Sequence, residues 1–144
     1  MKSKRKIFKN MIIAIVILLF MTLTIVLGNS EIDLGYINIT NSEAKLELDK
    51  DENIILIDVR RDEEYNQGRI PGSILIPVAE LEEKVQNIIE DKTARIFVYC
   101  LFGTRSKEAS EILVSLGYEN VYNLEGIAVW EYDMELGEES WKKI

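Results

Sequence analysis

The sequence predicts an α/β domain with a central parallel sheet of about five strands, flanked by helices on both sides and preceded by one N-terminal hydrophobic helix. Three observations carry that prediction. Short β-branched and aromatic runs alternate with stretches whose apolar residues recur at helical spacing. The run Ile54-Ile55-Leu56-Ile57 is apolar throughout, as a strand buried on both faces requires. Met11 to Leu27 is an uninterrupted stretch of apolar or threonine side chains, 17 residues long.

That stretch comes first in the chain. Lys2, Lys4, Arg5, Lys6 and Lys9 precede it. Its length lies under the roughly 20 residues that span a hydrocarbon core and above the roughly 7–15 of a signal-peptide core. A membrane anchor through residues 11–27 and a cleavable signal peptide both fit. The anchor is preferred, because Val26 is a poor match for a cleavage site after Gly28. Positive charge on one flank only puts the N-terminus in the cytoplasm. The expected location is the cytoplasmic membrane, single-pass with the C-terminal domain outside, or a secreted or periplasmic protein if the segment is cleaved. No polar face interrupts the run, which argues against a buried core helix. The expected division is 1–30 for the basic and hydrophobic segment and 31–144 for the domain.

From Glu31 onward the elements alternate. Tyr36–Ile39 reads as a short strand. Thr40-Asn41-Ser42-Glu43 reads as a capping box opening a helix, with Ile39 and Ala44 as its hydrophobic staple. Ile54–Ile57 is the next strand. Pro71-Gly72 marks a turn, Ile74–Ile76 another short strand, and Pro77 the entry to a helix striped by Leu81, Val85, Ile88 and Ile89. Arg95–Tyr99 is a further strand. Ala109, Ile112, Leu113 and Leu116 recur at helical spacing, and Gly117 ends that helix. Val121–Leu124 is the last strand. The acidic stretch Glu135 to Glu139 reads as a solvated helix or turn, with Trp141 packing it down.

Composition bounds the function. A content of 47% hydrophobic and 29% charged residues in 144 fits one globular domain plus the N-terminal segment. The formal charge of −8 comprises +5 from the first ten residues and −13 from the remainder. An excess of acid this large argues against nucleic-acid binding, which depends on neutralising phosphates. Solubility explains it. A single cysteine, Cys100, excludes an internal disulfide. No metal or other cofactor is expected.

The chemistry centres on that cysteine. The strand-forming run Ile96-Phe97-Val98-Tyr99 leads straight into Cys100-Leu101-Phe102-Gly103-Thr104-Arg105-Ser106, and a helical pattern follows. A thiol at such a junction faces converging backbone N–H groups and a helix N-terminus, which favour the thiolate. Leu101 to Ser106 would supply the amides, and Gly103 would let the backbone turn. Arg105 adds a full positive charge near a bound anion, or ties the loop to Asp58. A preformed thiolate needs no general base, so the absence of histidine is no obstacle. The duller reading of Cys100 is a buried structural thiol. Asp58 is read as a structural partner of the loop rather than an acid or base. Arg60 and Arg69 either guide anionic donors or form surface ion pairs. Tyr99 and Trp130 are most simply core aromatics.

Several segments together resemble the single-domain rhodaneses. Asp58-Val59-Arg60, Glu64-Tyr65 and Gly68-Arg69-Ile70-Pro71-Gly72-Ser73 look like that family's first signature. Cys100 to Ser106 looks like its active-site loop, and Leu124-Glu125-Gly126 with Trp130 is similar to its closing segment. The resemblance covers about Tyr36 to Trp130. It implies a three-layer α/β domain that moves sulfane sulfur through a persulfide on Cys100, from a small-molecule or protein donor to a thiol or cyanide acceptor. Three positions depart from the pattern: Arg69 stands where histidine is common, Ile127 where a second glycine is usual, and Leu101 where a basic residue is frequent. The last bears on the donor. Leu101 and Phe102 make the loop rim apolar, which suits a polysulfide or protein persulfide better than doubly charged thiosulfate. Two other function classes compete: a cysteine-dependent phosphatase of the related loop type, and a non-catalytic rhodanese-fold module for sulfide sensing or docking. Phosphatase loops of this kind place five residues between cysteine and arginine, whereas Leu101 to Thr104 are four. The shorter ring suits one sulfur atom better than a tetrahedral phosphate.

Overall fold

The computed structural model describes residues 2–28 and 34–137, with side chains over 4–20 and 34–137. Two compact units are present, residues 1–33 and 34–144. The first contains helix α1, Lys2–Gly28. Among the described residues, no helix is long and apolar enough to cross a membrane. The spanning anchor expected over residues 11–27 is therefore not supported. The described side chains, Lys4 to Phe20, include Lys4, Arg5, Lys6 and Lys9, which leave too short an apolar stretch among them. The tail expected around Trp141, and the stretch from residue 138 on, lie outside the described residues.

The second unit is built on a five-stranded, all-parallel sheet. Its strands are β1 (Ile37–Ile39), β2 (Ile55–Asp58), β3 (Ile74–Leu75), β4 (Arg95–Tyr99) and β5 (Asn120–Leu124), in spatial order β1-β5-β4-β2-β3. Strand β4 is central, and Ile96, Phe97, Val98 and Tyr99 are all fully buried. The edge strands are the two shortest, which limits the length of unpaired backbone. Helices α2 (Asn41–Leu48), α3 (Asp62–Gln67), α4 (Val78–Ile88) and α5 (Thr104–Ser115) connect the strands.

Side-chain alternation along the strands divides the core in two. Ile57, Val59, Ile96, Val98 and Cys100 face α4 and α5, packing with Leu81, Val85, Ala109 and Leu113. Leu56, Phe97, Tyr99 and Leu124 face the opposite way, packing with Ala44 of α2, Ile70, Ile127 and Trp130. These are the three layers that the sequence pattern predicts. Local signals account for the helix ends. Thr40 caps α2 reciprocally with Glu43, its hydroxyl accepting the Glu43 N–H at 3.2 Å while Glu43 accepts the Thr40 N–H at 2.9 Å. Gly117 closes α5: its N–H donates to Val114 O and that of Tyr118 to Leu113 O, the Schellman pairing.

One expectation about the helices needs correction. Ile88 does not join the buried stripe of α4; it is 53% exposed, while Ile89, just past the helix end, is buried. The backbone leaves helical geometry at Ile89, and this turns its side chain inward. Helix α3 is an element that periodicity does not reveal, since its six residues bury no side chain.

Candidate functional site

The carboxyl ends of β2, β4 and β5 converge on one edge of the sheet, and Cys100 follows the last residue of the central strand. In open parallel sheets this edge is where binding sites form. Strand alternation turns the Cys100 side chain toward α5, the helix that the loop feeds. The loop reverses at Gly103, which has φ +87° and acts as N-cap of α5. Only glycine takes this conformation without strain. The Gly103 N–H then points back at the thiol and donates to Cys100 Sγ at 3.1 Å.

Cys100 is 1% exposed. Burial by itself pushes the thiol up, but the Ser106 hydroxyl and the backbone N–H groups of Ser106, Phe102 and Gly103 outweigh it and hold the thiol below its ordinary value. Ser106 is itself fully buried, and its hydroxyl lies 3.0 Å from Gly103 O, which takes its one proton whenever the sulfur does not. Ser110 donates to Ser106 O one turn later. A donor reaching the sulfur must therefore enter a ring of amides.

Of the loop residues, Thr104 opens α5 and is exposed. Leu101 is half-buried against the Trp130 face of the core, so Phe102 alone displays a large apolar surface, at 74% exposure. The segment after β5 walls the loop. Ile127 N donates to Cys100 O at 2.9 Å and Ala128 N to Leu101 O at 3.0 Å. Gly126, at φ +118°, passes so close that a Cβ there would lie 2.6 Å from Leu101 O.

The arginines are placed differently from the expectation. Arg105 is not tied to Asp58. Its Nη1 and Nη2 each donate at 2.7 Å to the two carboxylate oxygens of Glu64, on α3. Asp58 is instead the partner of Arg60. Arg60 Nε lies 3.0 Å from both Asp58 oxygens and Nη2 lies 2.6 Å from Oδ2, with a further bond to Gly68 O at 2.7 Å. Both side chains are buried, Arg60 at 4% exposure, so Arg60 does not face incoming anions. Arg69 is bonded to Glu135 and stacks over the Tyr65 ring. The three candidate anion guides thus each carry a carboxylate partner. The hydrogen bonds from Arg105 hold Glu64 down to about 2, against burial.

Sequence reasoning missed two members of this site. Glu64 was visible only as part of a signature, with no local cue that it would meet Arg105. Tyr99 is more than a core aromatic. Its hydroxyl accepts the Ile70 N–H at 3.1 Å and pairs with Ser73 Oγ at 2.9 Å, anchoring the segment before β3 beneath Arg60. Burial, aided by the Asp58 charge, raises the Tyr99 phenol well above its ordinary range, so it stays neutral. No cluster able to hold a metal ion occurs among the described residues.

Residues 40–131 match the family model of the rhodanese-like domain. The thiosulfate sulfurtransferase PspE of Escherichia coli is 41% identical over 71 residues, which are 49% of this chain and 68% of that protein. A putative mitochondrial thiosulfate sulfurtransferase of Schizosaccharomyces pombe is 39% identical over 87 residues, 53% of this chain and 61% of that protein. The putative sulfurtransferase YtwF of Bacillus subtilis is 33% identical over 93 residues, 65% of this chain and 88% of that protein. Among solved structures, a rhodanese from E. coli with anions superposes with a TM-score of 0.55 at 36% identity, covering 58% of this chain and 99% of that one. A rhodanese-related protein from Thermoplasma volcanium gives 0.62 at 32% identity, covering 70% and 99%.

Proposed function

The chain belongs to the rhodanese-like domain family, and from that premise we propose that it is a sulfurtransferase that carries sulfane sulfur as a persulfide on Cys100. The observation that carries the reading is the Cys100 thiol itself, buried yet held below its ordinary pKa by loop hydrogen bonds, with Gly103 N–H 3.1 Å from the sulfur. In the loading step the thiolate attacks the outer sulfur of the donor, the donor's S–S bond breaks, and the remainder leaves with the electron pair. The same amides then face the outer sulfur of the persulfide. In the unloading step an acceptor thiolate, or cyanide, takes that sulfur and Cys100 departs as the thiolate again. Asp58, Arg60 and Tyr99 hold the neighbouring strand end rather than touching the reacting atoms.

The donor we assign is a polysulfide or a polypeptide persulfide, with thiosulfate a weaker substrate. Its support is that Arg105, Arg60 and Arg69 are each paired with a carboxylate, which leaves them little charge for a dianion. A phosphatase would need the loop arginine to hold phosphate oxygens, but both outer nitrogens of Arg105 are occupied by Glu64. As to location, we infer a domain outside the cytoplasm from the basic flank together with the apolar sequence of residues 11–27, read as a signal segment rather than a spanning anchor. Protease accessibility in whole cells and N-terminal sequencing of the mature protein decide it.

Intact mass after exposure to an organic polysulfide tests the reaction. The expected result is one added sulfur, removable by cyanide and absent in Cys100→Ser. An unchanged mass for the native chain overturns the proposal, and a higher kcat/KM with thiosulfate overturns the donor assignment.

A further inference from the structure

Helix α3 is six residues long and buries no side chain, so no apolar face fixes where it lies. Its place depends on polar ties. Glu64 takes both outer nitrogens of Arg105. The Tyr65 hydroxyl donates to Ser73 O at 2.6 Å, and Arg60 Nη2 donates to Gly68 O, just past the helix, at 2.7 Å. The remaining ties come from a distant part of the chain, residues 134–137, which lie along the C-terminal end of α3 as a short strap. Arg69 and Glu135 exchange backbone hydrogen bonds of 2.9 Å in both directions, as an antiparallel bridge. The Gly137 N–H donates to Asn66 O at 3.0 Å. The Arg69 guanidinium pairs with the Glu135 carboxylate and lies 4.7 Å from the centroid of the Tyr65 ring. The approach is close at two glycines. A Cβ on Gly137 would collide with Asn66 O, and one on Gly68 would lie 2.7 Å from Met134 Cε. The family match ends at residue 131, short of this strap.

The strap bears on the thiol loop through Glu64. Tyr65 and Asn66, which meet Arg69 and Gly137, are the next two residues after Glu64 in the same helix. A helix this short moves as one piece, so whatever fixes its C-terminal end also restrains the Glu64 carboxylate. The Glu64–Arg105 pair is partly open to water, which weakens such a pair unless its partners are held in place. Hydrogen bonding to Glu64, and then the charges of Glu64, Cys100 and Asp58, hold the Arg105 guanidinium above its ordinary value against burial. Arg105 and the Cys100 thiolate therefore act on each other, and charge that Glu64 neutralises is lost to the thiol loop.

We propose that residues 134–137 position Glu64, keeping its carboxylate on Arg105 and so closing the thiol-loop arginine to dianionic donors. Arg69, Glu135 and Gly137 are then positioning residues, which act on the site only through α3. The consequence for donors rests on the sulfurtransferase reading, whereas the placing of Glu64 does not. A dianion that binds only when Arg105 is released carries the cost of that release. Loosening the strap lowers the cost, and the dianion binds more tightly.

Two changes loosen the strap without altering net charge: Gly137→Ala, and Arg69→Gln combined with Glu135→Gln. Each is made in the native chain and in Glu64→Gln. Two quantities are read, the pH midpoint of Cys100 alkylation by iodoacetamide and the KM for thiosulfate against that for an uncharged organic polysulfide. In the native chain each change is expected to lower the midpoint by roughly 0.3–0.7 pH units, because Arg105 is less neutralised. The thiosulfate KM should fall roughly 2- to 5-fold while the polysulfide KM stays put. In Glu64→Gln neither quantity should move further, since the carboxylate being positioned is gone. A lower Tm with midpoint and thiosulfate KM unmoved makes the strap merely stabilising and overturns the proposal. Equal shifts in both backgrounds overturn it too, because the effect then bypasses Glu64. The alkylation arm needs no sulfur chemistry. If Cys100 accepts no sulfur, the sulfurtransferase reading falls while the midpoint still decides whether the strap positions Glu64.

Discussion

Replacing Glu64 with glutamine keeps the shape of the side chain and removes the charge that holds Arg105. The native pair is bidentate, with two bonds of 2.7 Å, and both side chains are about three-quarters shielded, at 24% and 28% exposure. The fall of the Glu64 carboxyl from 4.5 to about 2 sets a ceiling of roughly 3 kcal/mol, at about 1.4 kcal/mol per tenfold change in proton affinity. Solvent screening and the hydrogen bond that glutamine retains bring the expected loss to about 1–2 kcal/mol. For a domain of this size that is a Tm lower by roughly 4–12 °C. The sign of the pH dependence follows from the depressed carboxyl. Its contribution is complete above about pH 4.5 and vanishes as the pH falls toward about 2. Thermal melts of both proteins across that window should therefore converge at the acid end. The same substitution frees a guanidinium beside the thiol loop, so the KM for thiosulfate should fall several-fold while that for an uncharged polysulfide stays put. A Tm difference that is constant from neutral pH to about pH 2.5 would refute the charge-pair account.

Asp58→Asn leaves the 4%-exposed Arg60 without its carboxylate and should cost about 3–5 kcal/mol in chemical denaturation, well above the loss for Glu64→Gln. Gly126→Ala puts a Cβ 2.6 Å from Leu101 O at φ +118°. A loss of at least about 1–3 kcal/mol is expected, with sulfur loading slowed because the Cys100 loop must shift. Ser106→Ala removes a donor that helps hold the thiolate. The rise of the iodoacetamide reaction rate with pH should move to higher pH, and the rate at neutral pH should drop, whereas an unchanged profile would mean that the backbone amides suffice.

Much of the fold was legible because its cues are local. The strand runs, the Thr40–Glu43 capping box and the Gly117 stop each lie within a few residues, and helical and strand periodicities are set by the backbone alone. The thiol loop was legible for the same reason, since Cys100, Gly103 and Ser106 fall within one turn of chain that carries its own hydrogen bonds. Helix α3 escaped because it has no buried face to impose a period, and Ile88 was misplaced because the helix ends there. Apart from the Arg60–Asp58 pair, two residues apart, the distribution of these charge partners was not legible. Arg105 lies 41 residues from Glu64, Arg69 lies 66 from Glu135, and Asn41 lies 84 and 85 from the residues that fix it.

The sequence by itself determined the layered parallel sheet and the position of the Cys100 thiol at a strand–loop–helix junction, because periodicity, caps and turns are properties of neighbouring residues. Only the tertiary structure decided which carboxylate each arginine meets. An acidic chain offers every arginine many candidate partners, and the approach of α3 to α5 and the bridge between Arg69 and Glu135 bring particular ones within hydrogen-bonding distance.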